Sequence, residues 1–108
     1  MVVTTTNTVE GVGIVDYKGI VFGEVVEGIN IGRDIAAAVT NFVGGRSTSY
    51  EKSIIKGRSD ALEEMKQRAE ALGADAIVGV KFDYEAVVEG MIMISCSGTA
   101  VTLTCPRG

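Results

Sequence analysis

Between Val12 and Val26 apolar and polar positions alternate imperfectly and are punctuated by Gly13, Gly19 and Gly23. This predicts a strand with a bend, a bulge or a close backbone approach. On a period of two, Ile20, Phe22 and Val26 share one face with Glu24 among them, which reads as a packed face holding a glutamate. Upstream, the β-branched and polar run Thr4–Glu10 ends at Gly11 and predicts a short edge strand. Downstream, the turn Gly28–Gly32 leads to a helix. Asp34 suits its first turn, Ile35, Ala38, Val39 and Phe42 recur at three and four, and Gly44 stops it. A second, longer helix is expected after Thr48, where Thr48-Ser49-Tyr50-Glu51 reads as a capping box, and runs to Leu72 with Gly73 as its stop. Its apolar stripe is Ile54, Ile55, Ala61, Leu62, Met65, Ala69 and Leu72. Glu64 with Arg68 and Lys56 with Asp60 form exposed pairs, and at about 100° per residue Glu51 and Arg58 fall inside the stripe. Ala76, Val78, Val80, Phe82 and Tyr84 then alternate with Ile77, Gly79, Lys81, Asp83 and Glu85, a strand whose apolar side is expected beneath the helices. After a turn near Glu89-Gly90, Met91 to Thr104 makes a final strand. The pattern is that of an α+β domain: strands, two helices, then a hairpin.

Length and charge narrow the reading. The chain has 108 residues with 46% hydrophobic side chains, fitting one domain over 1–108. A net charge of -4 opposes a nucleic-acid binder held by phosphate contacts. No apolar run approaches the ~20 residues of a membrane span, and Met1–Thr6 lacks the basic and apolar regions of a signal peptide, so a cytoplasmic protein without membrane partners is expected. Two cysteines and one proline make no disulfide framework, and reduced thiols are the expectation. The absence of histidine removes the commonest general base and the commonest transition-metal ligand. An enzyme is therefore not expected.

Four separated motifs carry a resemblance across essentially the whole chain. They are Thr4-Thr5-Thr6-Asn7-Thr8-Val9-Glu10-Gly11, Gly44-Gly45-Arg46-Ser47 with Tyr50-Glu51, Leu72-Gly73-Ala74-Asp75-Ala76-Ile77-Val78-Gly79, and Ser97-Gly98-Thr99-Ala100-Val101. In this order they resemble the YbjQ-like family of small bacterial proteins. The resemblance implies a dodecin-like subunit, with two helices packed on one face of a curled antiparallel β-sheet, assembled as a ring-shaped homopentamer through extra short strands. It also brings the family's label as a heavy-metal-binding domain.

The candidate site lies around the second motif. A glycine pair followed by Arg46, Ser47, Thr48 and Ser49 at a helix start offers backbone donors, hydroxyls and a cation to an anion or phosphate. Lys52, Lys56 and Arg58 add cations against an unfavourable dipole. The competing account is structural: the glycines end one helix, Thr48 caps the next, and Glu51 takes the donors an anion would want. Glu51 and Arg58 stand about 10 Å apart along the axis, so each needs another partner. An intersubunit ion pair, with Glu24 or a neighbouring copy, is preferred over a ligand pocket, and Tyr50 could serve either. Arg46, Ser47, Tyr50, Glu51 and Arg58 are thus the ligand-binding candidates. For metals, Cys96 and Cys105 are nine apart and would face opposite sides of one strand, and Cys96 reads as core. Asp83 and Glu85 share a strand face with Lys81, which reads as a solvated face more readily than as an oxygen-ligand site. No cofactor or metal is assigned. The reading is a homo-oligomer binding a small ligand or ion, with a scaffolding oligomer as the competitor.

Overall fold

The computed structural model describes residues 1–28, 48–88 and 90–104. Its elements are β1 (Val2–Val3), β2 (Ile14–Gly28), α1 (Thr48–Ala71), β3 (Ala76–Val88) and β4 (Met91–Leu103). They form a four-stranded sheet in the order β1-β3-β4-β2. β4 pairs antiparallel with both β2 and β3, whereas β1 runs parallel to β3.

The expected architecture needs correcting on two counts. The described residues contain one helix, not two, and the sheet is mixed, not wholly antiparallel. The first expected helix, around Ile35–Phe42, lies outside the described residues. The sheet is mixed because the N-terminal segment takes the outer edge of β3 in the same direction: Thr4 donates to the Ile77 carbonyl, while Gly79 and Val80 donate to those of Thr6 and Thr4.

The strand expected over Thr4–Glu10 does not form, the N-terminal strand being Val2–Val3 instead, and the threonines explain why. The Thr6 backbone N–H donates to the Thr4 hydroxyl, and the Thr6 hydroxyl donates to the Thr8 carbonyl at 2.6 Å. Such local side-chain bonds compete with a regular ladder, and the segment bends beyond Val3.

α1 ends as its sequence indicates. Gly73 adopts φ 77°, its N–H reaches the Glu70 carbonyl, and the Ala74 N–H reaches that of Ala69. This is a Schellman closure, which satisfies two of the last helical carbonyls. The helix seats on β2 and β4 through Gly57, Ala61, Met65 and Ala69, all buried. Small residues on both sides allow close approach: a Cβ on Gly23 would overlap the Ala61 carbonyl, and one on Gly57 would overlap the Ile94 side chain. The principal core comprises Val21, Ala61, Met65, Ala69, Ile77, Val80, Cys96 and Ala100.

Bulges set which side chains meet that core. β2 carries an extra residue between Ile14 and Asp16 and another between Tyr17 and Gly19, the second at a glycine with φ 127°, as expected of its punctuated sequence. β3 carries one between Ala86 and Val88 and another between Val78 and Lys81, the latter around Gly79 at φ 63°. This last bulge breaks the alternation expected from Ala76 to Tyr84, because an inserted residue changes which face later side chains occupy. Ile77, Val80 and Phe82 pack with the principal core, whereas Ala76 and Val78 join Val101 in a smaller cluster, flanked by Val9, Ile14 and Leu103.

Candidate functional site

Of the expected ligand-binding residues, Arg46 and Ser47 lie outside the described residues. Tyr50 and Glu51 fall in the first turn of α1, where Glu51 is half-buried and already engaged in an interaction. Arg58 is exposed, contrary to its expected place in the buried stripe. The packed line runs through Gly57, and Arg58 lies one position further round the helix, where a long side chain extends its charge into water. Ile55 and Leu72, 56% and 46% exposed, leave the stripe as well. The expected pairing with Glu24 within one chain fails for a topological reason. Val21 and Gly23 face α1, so Glu24 points from the opposite side of the sheet.

The helix does hold charged contacts with β2, at other residues. Lys56 Nζ lies 2.9 Å from Asp60 and 3.6 Å from Glu27 of β2. The hydrogen bond and charge of Asp60, then the charge of Glu27, hold the Lys56 ammonium above its usual pKa. Arg68 pairs with Glu64 at 2.7 Å and donates through Nη1 to the Phe22 carbonyl at 2.8 Å. The helical pairs were legible as four-residue spacings. The bond to Phe22 has no sequence signal, since it depends on how the helix lies over β2.

Across the sheet from α1 the surface is open. β2 presents Ile20, Phe22 and Val26 there, at 69%, 47% and 51% exposure, with Glu24 among them. The register aligns Phe22 with Ser97, Glu24 with Ser95 and Val26 with Met93, and brings Lys81, Asp83 and Glu85 of β3 beside the same three β4 residues. Asp83, Glu85 and Lys81 therefore share a face, as expected. Among the described residues no group of three or more His, Cys, Asp or Glu side chains could hold a metal ion.

Cys96 lies on the covered face, 2% exposed within the principal core. Burial pushes its thiol above the ordinary value of 9.0, against an opposing hydrogen bond with the Gly23 backbone. Metal binding requires the thiolate, so this environment favours the core reading. Cys105 lies outside the described residues. A cleft of about 510 Å³ is lined by Val2, Thr4, Thr6, Thr8, Val9 and Glu10, and includes none of the expected site residues.

Residues 1–104 match the model of the YbjQ-like family, described as "Putative heavy-metal-binding". The chain belongs to this family. It is 54% identical over 105 residues to a UPF0145 protein of Clostridium kluyveri, covering 95% of this chain and 99% of that one. A UPF0145 protein of Listeria grayi gives the same identity and coverage, and one from Bifidobacterium longum is 50% identical, with 95% of this chain and 96% of that one covered. Among solved structures, a Pediococcus pentosaceus protein of unknown function from the DUF74 family matches with a TM-score of 0.66 at 20% identity. It covers 96% of this chain and 98% of that one, and supports the fold alone. Among the described residues of this YbjQ-like protein, no helix is long and apolar enough to cross a membrane.

Proposed function

We propose that this YbjQ-like protein is a cytoplasmic homo-oligomeric subunit that binds a small ligand or ion at or between its copies, in a binding role and not a catalytic one. The observation that carries this reading is the open sheet face, where Ile20, Phe22 and Val26 are each about half exposed or more. Large apolar side chains left exposed on one strand face gain from a partner's surface, and full burial of such a side chain is worth roughly 1.5–3 kcal/mol. The long strands point the same way. The radius of gyration is 17.6 Å, against about 13 Å for a compact chain of ~100 residues. Ion binding rests on the family description, and heavy metals are the class it names.

The same open face also favours a second reading, a scaffolding oligomer without a ligand, because apolar side chains ask for a protein partner before they ask for an ion. Native mass spectrometry of gently purified protein separates the two. A whole multiple of the 11.3 kDa chain is expected, with retained mass above the polypeptide for the binding reading and none for the scaffold. Five copies is the count implied by the resemblance, and a monomer at micromolar concentration overturns both.

A further inference from the structure

Two thioethers on the open face have no role in the fold described so far. Met91 is 42% exposed and Met93 half-buried. Two residues apart on β4, they point to the same side of the sheet and start about 6.6 Å apart, at 3.3 Å rise per residue. The β2 side leaves room for both side chains to bend toward one point: Met91 pairs there with Gly28, which has no side chain to intervene, and with Val88 of β3 on its other side, while Met93 lies between Val26 of β2 and Glu85 of β3. Methionine has three rotatable bonds and a polarizable sulfur, so convergence demands no backbone change.

The charge around the pair is the second observation. One rung further along β4, Ser95 lies between Glu24 and Asp83, so three carboxylates border the pair on its own face, with Lys81 a further rung away beside Ser97. Thioethers are neutral and leave a bound cation's charge uncompensated. A nearby negative field offsets that charge without donating hard ligands. Soft sulfur donors favour monovalent copper and its congeners over zinc or magnesium.

From this juxtaposition we propose that Met91 and Met93 form a thioether site for a soft monovalent cation of the copper(I) or silver(I) class, seated on the open face of β4 beside Glu85. This deepens the ion-binding reading above and rests on it. Binding involves no redox step: the ion arrives and leaves in the same oxidation state, exchanging water or a carrier's ligand for two sulfurs.

The test uses the full chain labelled with 13C at its methionine methyl groups. It is titrated in chloride-free buffer with silver nitrate, a redox-inert probe for copper(I). The four methionines are Met1, Met65, Met91 and Met93. The Met91 and Met93 methyl signals are expected to move together and saturate at one equivalent, while Met65 in the core and Met1 stay in place. Met91→Leu and Met93→Leu, near volume-conserving changes, assign the signals. Each should weaken silver affinity at least ~10-fold, the lower end of what even an outer-shell loss costs. Movement of Met1 in step with the pair, or an affinity unchanged in both variants, overturns the site. Silver binding with Met91 and Met93 unmoved overturns this site but leaves ion binding standing. No silver binding overturns this site, while retained mass in native spectra reports other ligands and assembly independently.

Discussion

The two faces of β4 differ in what covers them. Toward α1, Ile92, Ile94, Cys96, Gly98 and Ala100 are buried, while toward the open side Met93, Ser95, Ser97 and Thr99 are only half covered. β2 repeats the contrast with the sizes inverted. Val21 and Gly23 lie beneath the helix, and the bulkier Ile20 and Phe22 face away from it. The helix chooses the side where its backbone can come close, which is the side of the small residues. Large apolar side chains on the other face are left exposed.

Removing the most deeply packed helical side chain tests the covered face most severely. Met65→Ala is expected to cost about 2–5 kcal/mol of unfolding free energy in denaturant titrations. A cost under ~1 kcal/mol would mean that α1 is not seated as described. Gly23→Ala probes the closeness itself, since the new Cβ meets the Ala61 carbonyl. About 1–3 kcal/mol should be lost, and a neutral result would show that the seat has slack.

Acidity sharpens the same contrast. Because burial raises the folded-state pKa of Cys96 above 9.0, the folded protein holds this proton more tightly than the unfolded chain. The resulting stability is complete below the unfolded value and is lost as pH rises through the folded one, at up to about 1.4 kcal/mol per pH unit. Thermal melts from pH 8 upward should therefore fall more steeply for the native chain than for Cys96→Ala. Parallel curves would place the thiol in water.

The smallest effect on folding is expected on the open face. Phe22→Ser should change the stability of dilute, monomeric chain by only about 0.5 kcal/mol, yet abolish or shrink the oligomer in native mass spectra. A large loss of monomer stability without a change in assembly would erase the distinction between the faces.

The sequence made some of these features readable and hid others for physical reasons. The bounds of α1, its glycine stop and its four-residue ion pairs are local, encoded within a turn or two of helix. Cys96 could be placed in the core from residue type alone. Ile20, Phe22, Glu24 and Val26 were correctly grouped, because a period of two fixes which side chains share a face. It does not fix which face is covered, and that decision rests on Gly23 and Gly57, residues that carry no hydrophobic signal. The Gly79 bulge was hidden within an apparently regular alternation. At the candidate site, Glu51 and Arg58 shared a helical angle, but the sheet covers α1 along the Gly57 line and leaves Arg58 in water. Arg46 and Ser47 lie outside the described residues, which leaves both the anion-binding and the helix-cap readings of that motif as expectations.

The extra residue at Gly79 also bears on how the molecule comes apart. By turning β3 over midway, it makes Ile77 and Val80 part of one cluster and Ala76 and Val78 part of the other, while Ala100 and Val101 of β4 are divided in the same way. Each small cluster is thus bounded by a wall that belongs equally to its neighbour, and neither can open without exposing the other. Loss of native structure should be all-or-none, with helix amides and the amides of the β1 edge gaining exchange with solvent at a common free energy.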